Sequence, residues 1–133
     1  MDSTLVEPKS GAKFPKDADD WKYWHESVPK KLKQLYEEGY KVVIFTNQKG
    51  ISTGNTKAED IKTKIEDIGK DVGIQMQAII ATEDDEFRKP GTKMWDLFLT
   101  HNDGKVDMKN SFFCGDAAGR KDGKKKDFSD GDL

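Results

Sequence analysis

The chain has 133 residues, of which 34% are hydrophobic and 36% are charged, and its formal net charge is −2. These values predict one globular domain with a single core, and they exclude a global electrostatic attraction to nucleic acid or to an anionic membrane. No apolar run approaches the roughly 20 residues that a membrane helix needs, and Cys114 is the single cysteine, so we expect an intracellular protein without an intramolecular disulfide.

The first predicted elements are a helix and a strand. Ser27 is expected to cap a helix that has Pro29 near its first turn, an apolar stripe on one face and Gly39 as its stop signal. Residues 40–45 follow as a nearly continuous apolar run, which is typical of a strand buried on both faces of a parallel sheet.

The rest of the chain continues this alternation. A second helix is predicted at about residues 56–70, a strand at 74–81, a third helix that begins at Pro90, and a short strand at 111–114. This alternation predicts an α/β fold with a Rossmann-like, doubly wound parallel sheet and right-handed crossovers. In such sheets the ligand lies beyond the carboxyl ends of the strands.

Polar residues stand at the predicted strand ends. Thr46 ends the first strand, Lys89 follows the second, and Asp116 follows the third. Residues 1–6 read as the tail of an Asp-x-Asp-Gly-Thr-Leu nucleophile motif, whose first aspartate would precede Met1. We therefore expect these residues to converge on one rim of the sheet.

These residue types suit phosphoryl transfer, which needs an in-line nucleophile, a proton for the leaving oxygen and stabilisation of negative charge. Asp2 is placed to exchange protons, and Asp116 offers a hard oxygen ligand for Mg²⁺. Thr46 and Lys89 can hold phosphate oxygens. Taken singly, a threonine at a strand end is more often a turn residue, and a lysine before proline is more often a solvated loop residue; the order and spacing of the motifs favour a site.

The four motifs together resemble the signature of the haloacid dehalogenase (HAD) phosphotransferases. Longer strings at residues 38–51 and 88–96, Gly-Asp-Ala-Ala-Gly-Arg at 115–120 and Lys-Lys-Asp-Phe-Ser at 125–129 resemble the phosphatase domain of the polynucleotide kinase 3′-phosphatases. This resemblance spans essentially the whole chain. It implies an Mg²⁺-dependent, nuclear DNA 3′-phosphatase that removes 3′-phosphate from damaged DNA ends through an aspartyl-phosphate, in strand-break repair.

The resemblance also implies roles for individual residues and for partners. The implied catalytic residues are Asp2, Thr46, Lys89 and Asp116, with Asp2 and Asp116 as metal ligands. The implied phosphate or DNA contacts are Asn47, Gln48, Arg88 and Arg120, and Asp132 supports the acidic cluster. DNA 3′ ends are the implied partner, with a kinase domain or a repair scaffold in the full-length protein.

Three departures from the family pattern shape the expectations. The nucleophilic aspartate and its central strand would precede Met1, Ser3 stands where the family usually has glycine, and the chain stops at Leu133 before a further helix and strand. We therefore expect residues 1–133 to be a HAD-type phosphatase domain truncated at both ends and inactive alone. Part of the sheet surface near Phe45, Ile79 and Phe113 should then lie uncovered.

Three other interpretations stay open. A small-molecule HAD phosphatase, such as a histidinol-phosphate type, would share the fold but gives no reason for the basic run at 124–126 or the Arg120 string. A non-catalytic module that binds DNA ends or a scaffold would explain a missing nucleophile. A receiver-like signalling domain fits least, because it too needs an aspartate equivalent to the absent one.

Overall fold

The computed structural model describes residues 1–117 of the chain. Its strands and helices, in chain order, are β1 (Val6–Glu7), β2 (Lys22–Tyr23), α1 (Ser27–Glu37), β3 (Val42–Asn47), α2 (Ala58–Val72), β4 (Met76–Ala81) and α3 (Lys93–His101). Two short 3-10 helices lie at Lys49–Ile51 and Met108–Asn110. No helix in this part of the chain is long and apolar enough to cross a membrane.

Strands β3 and β4 form a parallel pair. Their residues align from Val42 opposite Met76 to Asn47 opposite Ala81, so the carboxyl ends of the two strands lie side by side. A parallel pair needs a long crossover connection, and α2 provides it. The β3, α2, β4 unit therefore brings the loops that follow β3 and β4 together at the carboxyl ends of the strands.

Helices cover both faces of this pair, because successive side chains along a strand point to opposite faces. On one face, Ile44 of β3 packs with Ile61 and Ile65 of α2. On the other face, Phe45 meets Phe98 of α3 edge to face, with ring centroids 5.7 Å apart. The predicted doubly wound α/β arrangement is therefore confirmed.

The sheet surface that was expected to lie uncovered is mostly covered. Ile79 is buried in a cluster with Met94 and Phe98 of α3, and Phe45 packs against the same cluster. Phe113 is 54% exposed, so the expectation was right only for this ring.

The N-terminal strands form a small antiparallel pair that the sequence did not indicate, because each strand has two residues. Val6 pairs with Tyr23 and is buried against Ile68 and Val72 of α2. The Tyr23 hydroxyl donates a hydrogen bond to Asp71 of α2, and burial together with this bond raises the pKa of Tyr23. These contacts hold the start of the chain on the α2 side of the sheet.

Asp20 organises the loop between β1 and β2. Its carboxylate is 6% exposed and accepts hydrogen bonds from the Ser10 amide at 2.7 Å, the Ser10 hydroxyl at 2.7 Å and the Lys16 amide at 2.9 Å. The bonds from Lys16 and Ser10 favour the charged carboxylate and lower the pKa of Asp20 to about 2. The Asp20 carboxylate therefore holds Ser10, near the start of this loop, and Lys16, in its middle, close to the end of the loop.

Replacing Asp20 with asparagine should lower the thermal stability at neutral pH, because the uncharged amide offers one oxygen to three donors. The pKa of Asp20 is depressed in the folded state, so its contribution is present above the ordinary value of 3.8 and is lost as the pH falls toward about 2. Thermal melts of the wild type and Asp20→Asn should therefore differ at pH 7 and converge between about pH 4 and pH 2. The exposed neighbour Asp19 supplies the matched control, Asp19→Asn, and a difference that stayed constant down to pH 2 would contradict this role.

One predicted helix cap and one predicted helix start are wrong. Glu26, not Ser27, is the N-cap of α1, and it makes no capping hydrogen bond through its side chain. The third helix begins at Lys93 rather than at Pro90. The residues around Pro90 instead form a turn in which the Gly91 amide donates to the Arg88 carbonyl at 2.8 Å, and this turn delays the first helical bond.

The predicted strand at residues 111–114 is not formed. A strand needs a neighbouring strand to pair its backbone groups, and within residues 1–117 no strand pairs with this segment. Phe112 is 61% exposed and contacts the Tyr40 ring edge to face at 5.8 Å. The segment is therefore held by aromatic contacts rather than by a ladder.

Candidate active site

The carboxyl end of β3 is formed by Thr46 and Asn47, and Gln48 follows directly. The side chain of Thr46 is buried, and those of Asn47 and Gln48 are half-buried. The backbone amide of Gln48 donates to the Ala81 carbonyl at 2.7 Å, which continues the pairing with β4 beyond the end of β3. The rim at this point is therefore fixed by backbone bonds.

Gln48 joins two of the predicted catalytic residues. Its side-chain nitrogen Nε2 lies 2.9 Å from Asp2 Oδ2 and 2.9 Å from Thr46 Oγ1. The structure thus brings Asp2, from the start of the chain, to the end of β3.

A tight turn presents Asp2. The Leu5 amide donates to the Met1 carbonyl at 2.9 Å, and Ser3 has a φ of +55°. This is the left-handed backbone region, which glycine adopts at least cost. The turn therefore explains why a glycine suits this position in the motif and why Ser3 is a costlier choice.

The same turn reaches Asp116. Thr4, two residues after Asp2, donates from Oγ1 to Asp116 Oδ1 at 3.3 Å. The predicted acidic residues Asp2 and Asp116 therefore both attach to the N-terminal turn, one directly and the other through Thr4.

Asn47 fixes the backbone of Lys89. The Lys89 amide donates to Asn47 Oδ1 at 2.9 Å, and Asn47 Nδ2 donates to the Lys89 carbonyl at 3.3 Å. The Lys89 ammonium lies 5.5 Å from the centre of the Phe113 ring, a cation–π distance. The predicted phosphate-binding lysine is thus attached to the end of β3 beside Thr46.

Arg88 points to an acidic neighbour. Its Nε lies 3.9 Å from Asp84, which also pairs with Lys49 at 3.1 Å. Exposed ion pairs of this kind contribute little and exchange readily. The predicted residues Arg120 and Asp132 lie outside the described residues.

Comparison with known protein families identifies the family of the chain. The family model described as Polynucleotide kinase 3 phosphatase matches residues 1–133, which is the whole chain. The chain belongs to this family.

Curated relatives of this phosphatase-family chain agree with the match. A 20.8 kDa protein of Autographa californica nuclear polyhedrosis virus is 42% identical, over 99% of this chain and 72% of the viral protein. The bifunctional polynucleotide phosphatase/kinase of Schizosaccharomyces pombe is 42% identical over 90% of this chain, and the polynucleotide 3′-phosphatase ZDP of Arabidopsis thaliana is 39% identical over 87%. The chain spans 29% and 18% of the lengths of these two enzymes.

A solved structure shares the fold. The crystal structure of D,D-heptose 1.7-bisphosphate phosphatase from B. bronchiseptica, complexed with magnesium and phosphate, matches with a TM-score of 0.67 and 19% identity, over 81% of this chain and 62% of that chain. At this identity the likeness shows the α/β fold and nothing finer. It agrees with the helices found on both faces of the β3 and β4 pair.

The donor set fits a magnesium ion of low protein coordination. Among residues 1–117 no three carboxylate, histidine or cysteine side chains form a metal cluster. Mg²⁺ commonly takes one or two carboxylates and fills its other positions with water and substrate phosphate. The Asp116 carboxylate and the backbone carbonyl of Asp2, both close to the N-terminal turn, would be the hard oxygen ligands of such an ion.

Two site features were missed from the sequence. Thr4 was not singled out, although its place two residues after Asp2 in the motif is a usable signal. Asn47 and Gln48 were expected to contact DNA or phosphate, whereas their side chains bind Lys89, Asp2 and Thr46 in the structure. The spacing of two residues between Thr46 and Gln48 is a local signal for that contact, whereas nothing in the local sequence reveals the partners Asp2 and Lys89.

Proposed function

We propose that this chain is the phosphatase domain of a DNA 3′-phosphatase that removes 3′-phosphate from damaged DNA ends. One observation carries the proposal: Gln48 and Asn47 tie Asp2 and Lys89 to the carboxyl end of β3, beside Thr46, in a chain of this family. This arrangement supports a site in which proton transfer by Asp2, the positive charge of Lys89 and the Thr46 hydroxyl serve one ligand beyond the carboxyl ends of the strands.

The proposed nucleophile is an aspartate two positions before Asp2. Its carboxylate attacks phosphorus, the bond between phosphorus and the 3′-oxygen breaks, and Asp2 gives a proton to the leaving 3′-oxygen. Asp2 then accepts a proton from the water that hydrolyses the aspartyl-phosphate, which releases inorganic phosphate and restores both carboxyl groups.

The other residues stabilise the phosphoryl group in this scheme. The Thr46 hydroxyl donates to a phosphate oxygen, and the Lys89 ammonium offsets negative charge that develops during transfer. The Asp116 carboxylate and the backbone carbonyl of Asp2 would hold Mg²⁺, which when bound supplies further positive charge to the phosphate.

The biological setting is also a proposal. One relative is named as a bifunctional phosphatase/kinase, and the chain covers 29% of it, so we propose that a kinase domain or a repair scaffold accompanies this domain in the full-length protein. Strand-break repair in the nucleus is the corresponding setting. Arg88, Arg120 and the lysines at 124–126 are the proposed contacts to DNA phosphates.

Selectivity among phosphate esters tests the DNA assignment. We expect a polypeptide that carries the upstream aspartate to prefer a 3′-phosphorylated oligonucleotide over a 5′-phosphorylated one and over histidinol phosphate. Duplex sequence should have little effect, because phosphate contacts do not read base edges. The measurement is kcat/KM for each substrate as the salt concentration rises.

Salt dependence identifies the contacts. Arg120→Ala should weaken the DNA reaction and reduce the slope of log kcat/KM against log salt by about one unit, the effect of one lost phosphate contact. Lys70→Ala is the matched control, because Lys70 is exposed in the last turn of α2, at the end of the sheet opposite the site. Equal or better turnover of histidinol phosphate would favour a small-molecule phosphatase, and DNA binding without turnover would favour a binding module.

A further inference from the structure

We propose that Gln48 is a positioning residue that couples the proton-transferring carboxylate of Asp2 to the phosphate-binding hydroxyl of Thr46. The inference rests on the proposed phosphatase function and assigns Gln48 a role other than the DNA contact that the family resemblance implies. Its basis is one side-chain nitrogen at 2.9 Å from both residues.

The orientation of the Gln48 amide follows from its partners. An ionised carboxylate can only accept hydrogen bonds, so the NH₂ end of the amide must face Asp2. That NH₂ group has two hydrogens, and its nitrogen cannot accept. One hydrogen therefore goes to Asp2 Oδ2 and the other to Thr46 Oγ1.

This arrangement sets the direction of the Thr46 hydroxyl. Thr46 Oγ1 accepts from Gln48, so its own hydrogen must donate elsewhere. Thr46 is 3% exposed, and no second hydrogen-bond partner for its hydroxyl lies among residues 1–117. The hydroxyl hydrogen thus stays available to donate, as holding a phosphate oxygen requires.

The arrangement also differentiates the two oxygens of Asp2. Oδ2 receives the Gln48 bond, which orients the carboxyl group and leaves Oδ1 as the oxygen to deliver the proton to the leaving 3′-oxygen in the proposed scheme. The backbone hydrogen bond from Gln48 to Ala81, 2.7 Å long, anchors the residue to the sheet and so limits the movement of its side-chain amide. Gln48 consequently fixes the donor oxygen of Asp2 relative to the phosphate bound by Thr46.

The test compares two leaving groups. Breaking the bond to a deoxyribose 3′-oxygen requires a proton from Asp2, whereas p-nitrophenolate leaves without one. In the polypeptide with the upstream aspartate, Gln48→Met should lower kcat/KM for a 3′-phosphorylated oligonucleotide about 10- to 100-fold, the scale of one hydrogen bond to a charged group. The loss should exceed that for p-nitrophenyl phosphate by about tenfold, because general acid catalysis serves only the first substrate.

Two further variants make this comparison sharp. Gln48→Glu keeps the length of the side chain but removes both N–H donors, so it should show the same dependence on leaving group. Gln75→Met repeats the substitution at an exposed glutamine before the amino end of β4 and should leave both substrates unaffected. Equal losses for the two substrates in both Gln48 variants would overturn the proposal while leaving the phosphatase function intact.

A measurement without turnover separates the two claims. In ¹⁵N-labelled residues 1–133, both side-chain N–H hydrogens of Gln48 should exchange slowly with solvent compared with those of Gln75, and Thr46→Val should speed the exchange of one of them. If the polypeptide with the upstream aspartate and an unchanged Gln48 hydrolysed neither substrate, the proposed function would fail. The exchange rates would still show whether Gln48 donates to both Asp2 and Thr46. Exchange of both Gln48 hydrogens as fast as those of Gln75 would refute the positioning role.

Discussion

Residues 1–133 by themselves should release no phosphate from 3′-phosphorylated DNA, whereas the same polypeptide extended upstream with an aspartate two positions before Asp2 should turn it over in Mg²⁺. The proposed mechanism places the aspartyl-phosphate on that carboxylate and gives Asp2, whose Oδ2 is bound by Gln48, the role of proton donor. The extended polypeptide with asparagine in place of the added aspartate is the control. It keeps the added chain and should stay inactive.

The contrary result has a clear meaning. Robust Mg²⁺-dependent activity from residues 1–133 alone would refute the alignment of the N-terminal motif and would make Asp2 itself the nucleophile. Phosphate release measured for the three polypeptides at equal concentration distinguishes these outcomes.

Lys89→Ala in the extended polypeptide should lower turnover by roughly 10²–10³, the usual scale for losing one preorganised electrostatic contact to a transition state. Asn47 holds the Lys89 backbone through two hydrogen bonds, which positions the start of the lysine side chain at the end of β3. Those two bonds use backbone atoms and remain in the variant, so folding should be retained. Kinetics and thermal melts of the same preparations check both statements.

Lys70→Ala provides the matched control for Lys89→Ala, because it also removes one lysine charge, from the opposite end of the sheet. It should leave turnover unchanged. Near-normal turnover in Lys89→Ala would contradict a phosphate-binding role and would indicate that Lys89 is a solvated loop residue.

The elements of the sheet were readable from the sequence because their apolar patterns are long. The strand predicted at 40–45 lies at Val42–Asn47, the helix predicted at 56–70 lies at Ala58–Val72, and the strand predicted at 74–81 lies at Met76–Ala81. Each shift is two residues or fewer at either end, which is the usual uncertainty of helix and strand boundaries.

The errors occur where long-range contacts decide the structure. Residues 111–114 have a strand-like composition, yet whether a strand forms depends on a pairing partner that local pattern does not supply. Pro90 was read as a helix start, but the preceding turn is closed by a backbone bond from Gly91 to Arg88. Local sequence gives the propensity of a segment. It does not show which distant backbone groups are available for pairing, so neither the turn at Pro90 nor the unpaired segment at 111–114 could be predicted.

The candidate site divides in the same way. The placement of Thr46 at the end of β3 and of Lys89 after β4 followed from motif order, because parallel strands end on one rim. Lys89 and Asp2, the partners of Asn47 and Gln48 respectively, lie 42 and 46 residues away in the chain, so these hydrogen bonds could not be predicted without the fold. The roles of Arg120 and Asp132 stay predictions.

Transfer of a radiolabelled phosphate from a DNA 3′ end to the protein tests the central claim most directly. The extended polypeptide is mixed with 3′-labelled oligonucleotide and Mg²⁺, quenched in acid and digested, and the labelled peptide is identified. We predict label on the aspartate two positions before Asp2, and none when that residue is asparagine. Label on Asp2, or label accepted from a small phosphate ester but not from the DNA 3′ end, would contradict the assignment of this chain as a DNA 3′-phosphatase.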